Sequence, residues 1–197
     1  SIGIVANNPA VNNGQIDMYA ADKASRFIRL LDCFNIPIVT FTHTSGYTAD
    51  AAQEKKGLIR HVAKMIYAFT EADVPKINII TGKAIGGAYV AMNSKSIGAD
   101  AVFAYPTASI SIMDSEGAAN IIFNKQIANS EDPVEFRKAK ISEYSSRYAS
   151  SYDAAKRGYV DDVIDPALTR TYIIGALEML KSKRENRPNR KHGNMPL

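Results

Sequence analysis

The sequence predicts an α/β domain, and three observations predict it. Apolar, β-branched runs alternate with helical periods along the whole chain. Runs such as Ile36–Thr42 are continuously apolar or β-branched, as strands buried on both faces are. Gly, Pro or Asn stands at most changes of period, where the chain must turn. Ser1–Ala6 reads as a strand already under way with no initiator methionine, so the chain is expected to be a piece of a longer subunit. Asp17 is placed to cap a helix to about Phe34, with Ala20, Ala24, Phe27, Ile28 and Leu31 on its inner face. After the Asn35–Pro37 break and the strand at 36–42 comes a loop, His43–Asp50. A helix from about Glu54 to Thr70 follows, with Leu58, Ile59, Val62, Met65, Ile66 and Phe69 inward.

Lys76–Thr81 is the next strand, and the small residues after it open a short helix to about Asn93. Short strands are expected at 101–104 and 108–112, and helices at 115–128, 133–149 and 152–157, the last stopped by Gly158. A strand at 160–164 precedes a last helix, about 167–183, carrying Ile173, Ile174, Leu177 and Leu180 on one face. No repeat, linker or second domain boundary interrupts these 197 residues, enough for one domain with a sizeable core.

Composition narrows the function classes. A hydrophobic share of 46% with 22% charged residues is ordinary for a globular domain. No apolar run reaches the roughly 20 residues of a spanning helix, so direct membrane insertion is not expected. Cys33 is the single cysteine, which excludes an intrachain disulfide or a multi-cysteine zinc site, and a cytoplasmic address is the simplest expectation. The net charge of +4 is local: residues 181–192 carry +5, which leaves the remainder near −1. That basic tail lacks interleaved aromatics for base stacking, so nucleic acid is not an expected partner. A solvated tail, or one that grips a partner, is the expectation.

Chemistry is most legible at Gly86-Gly87, between a strand and a helix. Two successive glycines admit a ligand close to the backbone. The first N–H groups of the helix lack intrahelical acceptors and sit at its positive end. Such donors could form an oxyanion hole, although tight packing of a helix on a sheet would explain the same pair. Gly82-Lys83 resembles the end of a phosphate loop, but Ala84 and Ile77 stand where that motif needs Ser/Thr and Gly. The loop Thr44-Ser45-Gly46-Tyr47 lies at a strand's carboxyl end, where open α/β folds collect ligands. His61 and His192 suit surface or packing roles, whereas His43, beside that loop, is a candidate. Asp161, Asp162 and Asp165 suit solvated acids around a strand. Ser45 and Ser115 have no His–Asp context, Cys33 suits a packed position, and no motif suggests a metal.

Together these segments resemble the C-terminal domain of biotin-dependent acyl-CoA carboxyltransferase subunits, of the propionyl-CoA carboxylase β and methylmalonyl-CoA decarboxylase α type. The resemblance is carried by IPIVTFTHTSGYTADAAQE (36–54), LIRHVAKMIYAF (58–69), KAIGGAYVAMNSKSIGAD (83–100), AYPTASISIMDSEGAANIIF (104–123) and RPNRKHGNMPL (187–197). It implies a crotonase-like fold, a superhelix of stacked β-β-α units. It also implies carboxyl transfer between biotin and a short acyl-CoA of the propionyl/methylmalonyl class, with 1–197 as the biotin-side half of the site. The N-terminal CoA-binding domain would be missing, so the domain alone should be close to inactive. Biotin on a carrier protein or domain, acyl-CoA and further carboxyltransferase subunits in a homo-oligomer are the implied partners.

By position, Gly86 and Gly87 match the glycine pair that holds the ureido oxygen of biotin, with Gly46, Tyr47 and Ala88 beside them; His43 and Val90 fall at the substrate pocket. Three departures stand out. The family's Asp-x-Pro-Gly-Phe reads His43-Thr44-Ser45-Gly46-Tyr47, the residue after the GGAY motif, often acidic, is Val90, and Asp114 replaces a glycine. These are compatible with decarboxylase α subunits, which run the transfer from a malonyl-type or glutaconyl-type CoA to biotin. A crotonase-type hydratase or isomerase is the further alternative, with Glu116 as its acid, and a degenerate scaffold half is the non-enzymatic one.

Overall fold

The computed structural model describes residues 1–185 and 191–196. Its centre is a parallel sheet of β1 (Gly3–Ala6), β2 (Ile38–Thr44), β3 (Lys76–Ile85), β4 (Ala101–Ala104) and β6 (Asp162–Val163), in the order β1-β2-β3-β4-β6. β3 runs on beyond the expected Thr81. Its first half pairs with β4, and Lys83–Ile85 pair in parallel with β5 (Ser109–Ser111). Residues 82–85, expected to open the helix, are therefore strand, and the helix begins only at Gly86.

Three clusters make the core, one of them gathered around Ile80, Ala84, Tyr89 and Val102, and the other two lie on opposite faces of the sheet. Ile38 faces α1 (Met18–Cys33) and α3 (Leu58–Glu71), where Ile28, Leu31, Val62, Met65 and Phe69 are buried. Val39, Ile77, Ile79 and Phe103 face the opposite way, toward α9 (Thr169–Met179). Asp17 caps α1 as expected, accepting from the Ala20 N–H at 2.7 Å. The inner face of α1 is Ala21, Ser25, Ile28 and Leu31, with Ala20 and Phe27 turned outward. The second helix is two: α2 (Ala51–Lys55) and α3, separated at Gly57 by a left-handed φ of 81°. α3 buries Leu58, Val62, Met65 and Phe69, and Ile59, one step round the helix from Leu58, is 70% exposed.

A short helix, α4 (Gly86–Ala91), leaves β3 and is tied back to the sheet by a buried polar seam. Asn93 Nδ2 donates to Thr40 Oγ1 at 3.2 Å, and the Thr40 and Thr42 hydroxyls donate to Asn78 Oδ1 at 3.0 and 2.8 Å. All four residues are fully buried, so the seam fixes where α4 ends. The stretch expected as one helix at 115–128 is α5 (Ser115–Ile122) and α6 (Asn124–Ala128), broken at Phe123. α7 (Pro133–Tyr148) packs on both. α8 (Ser151–Lys156) ends before Gly158, whose φ is 79°.

Several expected surface residues are in fact engaged. Asp161 pairs with Lys95 at 2.8 Å and accepts the Val102 N–H, Asp162 accepts from the Tyr172 hydroxyl, and Asp165 caps a single 3-10 turn before α9. Ile174, expected on the inner face of α9, is half exposed, and Tyr172 takes part in that core instead. Cys33 is exposed rather than packed. Lys183 is not a solvated tail residue: it bridges Asp100 at 3.0 Å and Glu185 at 2.8 Å. Farther along, the Asn194 N–H donates to Tyr67 Oη, which lays the described end of the tail on the α1–α3 layer. Arg187 and Arg190 lie outside the described residues.

Candidate functional site

Two cavities meet at Gly86-Gly87. The first, of about 760 Å³, is lined by Gly46, Tyr47, Lys83, Gly86, Gly87 and Ala88, and by the start of α5. The second, of about 710 Å³, shares Gly86 and Gly87 and adds Val90, Ile110, Phe123 and Tyr89, Tyr144, Tyr148 and Tyr159. The glycine pair is thus the ridge between a mixed cavity and a largely aromatic one.

The two glycines differ in what a side chain would meet. Gly86 has φ 63°, and a Cβ there would come within 3.1 Å of the Ile112 carbonyl oxygen. At Gly87 a Cβ would lie 3.2 Å from the Tyr47 ring. Tyr47 is held over the pair from two sides. Its hydroxyl donates to the Gly87 carbonyl at 2.8 Å, and its backbone bridges to Ile16, through the Ile16 N–H to Gly46 O and the Thr48 N–H to Ile16 O. Thr44 shapes the turn, its hydroxyl accepting from Gly46 N and donating to Gly46 O, while Gly46 adopts a φ of 144° with open space around it. Backbone conformation, not room, selects glycine at 46.

Burial pushes the Tyr47 phenol up to about 12, and burial, then the charge of Tyr159, does the same for Tyr89. Both phenols are neutral donors at physiological pH. In the unfolded chain they ionise near 10, so the native state retains protons that the unfolded state has lost between about pH 10 and 12. Their contribution to stability is complete below pH 10 and is lost as pH rises through 12. Urea unfolding at pH 9, 10 and 11 should show a steeper alkaline decline in the wild type than in Tyr47→Phe. Equal slopes would contradict this environment for Tyr47.

The expected site residues are only partly brought together. Gly46, Tyr47, Gly86, Gly87 and Ala88 line the first cavity, and Val90 lines the second. His43 lines neither: its ring lies against Gly82, in the space that a side chain at 82 would fill, and its N–H donates to Asn7 Oδ1 at 3.2 Å. Asp114, a departure from the resembled motif, caps α5 through the Gly117 N–H at 2.8 Å. Glu116 lies at the cavity edge, exposed, 3.4 Å from Arg137. His61 pairs with Asp22 at 2.7 Å, between α1 and α3 and away from both cavities. The aromatic lining from α7 was missed; the i, i+4 spacing of Tyr144 and Tyr148 was its one sequence signal. Among the described residues no His/Cys/Asp/Glu cluster could hold a metal, and no helix is long and apolar enough to cross a membrane.

Comparison with known proteins agrees with this architecture. Residues 1–195 match the carboxyl transferase domain family. The chain is 51% identical over 197 residues to a methylmalonyl-CoA decarboxylase subunit alpha of Propionigenium modestum, covering all of this chain and 38% of that protein. It is 52% identical over 196 residues to the methylmalonyl-CoA carboxyltransferase 12S subunit of Propionibacterium freudenreichii subsp. shermanii, covering all of this chain and 37% of that one. The chain thus spans less than two-fifths of the length of these relatives. A solved transcarboxylase 12S, described as a hexamer with methylmalonyl-coenzyme A and methylmalonic acid bound, superposes with a TM-score of 0.96 at 51% identity over 100% of this chain and 38% of that one. A long-chain acyl-CoA carboxylase superposes at 0.77 with 26% identity, over 89% of this chain and 18% of that one. The fold is crotonase-like, as the resemblance implied, and the chain belongs to the carboxyl transferase domain family.

Proposed function

We propose that this chain forms the biotin-side half of a carboxyltransferase active site, exchanging a carboxyl group between biotin and a short acyl-CoA of the propionyl/methylmalonyl class. The observation that carries the reading is the Gly86-Gly87 ridge, kept free of side-chain atoms beneath the Tyr47 ring. It fits a flat ureido group, because neither residue sets a side chain of its own over the backbone. Bound biotin supplies the carboxyl carrier and a nitrogen that can take the acyl α-proton. The chain's own part is positional and electrostatic. As first-turn residues, Gly87 and Ala88 present N–H groups without intrahelical acceptors, suited to negative charge developing on an oxygen. Tyr47 fixes the Gly87 carbonyl, hence the plane of the Gly87–Ala88 peptide and the direction of the Ala88 N–H. The second cavity adds apolar and aromatic wall beside the ridge.

No acid–base side chain of this chain is needed, which disfavours the hydratase reading: its nominated acid, Glu116, is exposed and faces Arg137. Decarboxylase and carboxyltransferase relatives match at 51% and 52% identity, so the proposal is the transfer common to both directions. A biotin carrier, acyl-CoA, sister subunits and a cytoplasmic address belong to the same reading. The test is transfer between biotin and a panel of short acyl-CoAs by the intact subunit. Transfer with one ester supports the reading and names the substrate. Hydration of an enoyl-CoA without biotin, with no transfer from any ester, would overturn it.

A further inference from the structure

The transfer reading leaves one group of the first cavity unused. Lys83 and Ile85 alternate with Ala84 along β3, so the first two line the cavity while Ala84 is buried in the core. Ser109, opposite Lys83 in the register with β5, lines it too. Among the described residues Lys83 is the one cation on this lining. The two acids there are already engaged: Asp114 caps α5 through the Gly117 N–H, and Glu116 faces Arg137. Arg157, on the second cavity, is held by Asp153 at 3.0 Å. Lys83 has no ion pair or hydrogen-bonding partner among the described residues.

Resting on that transfer reading, we propose that Lys83 is the substrate-binding residue for the acyl-CoA carboxylate, the group that is moved. A carboxylate entering this mixed cavity gives up part of its hydration and needs a counter-charge. An ammonium on a flexible stem supplies a charge-assisted hydrogen bond without demanding one fixed geometry. The same contact discriminates the two acyl-CoA forms, because the ester that has lost its carboxylate gains nothing from Lys83. Lys83 would therefore favour retention of the carboxylated ester and release of the uncarboxylated one.

The test is calorimetric titration of the intact subunit, without biotin, with methylmalonyl-CoA and separately with propionyl-CoA. Lys83→Met should weaken methylmalonyl-CoA by about 10- to 100-fold, the range expected for one charge-assisted hydrogen bond, and leave propionyl-CoA within about 2-fold. Lys83→Arg should recover most of the loss. Equal weakening of both esters would mean a packing role and overturn the inference, as would no weakening of either. If the wild-type subunit transfers carboxyl groups normally but Lys83→Met binds both esters like the wild type, the inference fails and the transfer reading stands. If the wild type binds neither ester, both fail together. Lys83 is exposed, so its variants should retain the wild-type melting temperature.

Discussion

Replacing Gly87 with valine is expected to lower carboxyl transfer by the intact subunit at least about 100-fold, with little change in stability. The magnitude is that of losing one donor from an oxyanion hole. The geometry supports a clean separation of the two effects. Gly87 is exposed, has no positive φ, and sits in the first turn of α4, where valine is a better helix former than glycine. The added Cβ meets only the Tyr47 ring, at 3.2 Å, which can give by a few tenths of an ångström. Its methyl groups then stand where a ureido group would approach. Gly86→Ala is a different experiment, because φ 63° and the Ile112 carbonyl oxygen at 3.1 Å strain the backbone itself. Melting temperature and transfer rate, measured together, separate the cases. Unchanged transfer in Gly87→Val would remove the ridge from the mechanism.

Gly14→Ala is expected to destabilise the chain by about 3 kcal/mol or more, read from urea unfolding. A φ of 71° in the left-handed region costs about 1–2 kcal/mol for a residue with a Cβ. The new atom would also collide with the backbone carbonyl of His43, and backbone cannot rotate aside as a side chain can. His43 lies in β2, at the register shift between Thr42 and Thr44, and its backbone N–H donates to Asn7 Oδ1. Any adjustment therefore travels along β2 into the Thr44–Tyr47 turn, or outward through Gln15 to the Ile16–Tyr47 bridge. Residual activity should fall even in the folded fraction. A loss below about 1 kcal/mol would contradict this packing of the first loop on the site.

What could be read from the sequence depended on how local its physics is. The Asp17 cap, the stop at Gly158 and the continuous apolar run of β2 are local and were legible. So was the glycine pair at a strand–helix junction. Length and register were not, because tertiary pairing decides them. β3 passes through Gly82 and Lys83 because Lys83–Ile85 find a partner in β5, which lies some 25 residues later in the chain. Inner faces are narrower than the apolar pattern suggests: α3 buries Leu58, Val62, Met65 and Phe69 and leaves the adjacent Ile59 exposed. Proximity to Gly46 in the sequence suggests His43 for the pocket, but strand alternation and the missing side chain at Gly82 draw its ring against β3. In the sequence Lys83 resembles only the end of a phosphate loop whose other residues are missing. Its place on the cavity appears only once β3 is known to continue, since an extended backbone gives residue 83 the cavity face and residue 84 the core.

The most direct measurement is a crystal structure of the intact subunit with biotin bound. The ureido oxygen is expected within about 3.2 Å of the Gly87 or Ala88 N–H nitrogen, in the cavity roofed by Tyr47. Biotin seated elsewhere, with Gly86-Gly87 bare and transfer activity intact, would contradict it.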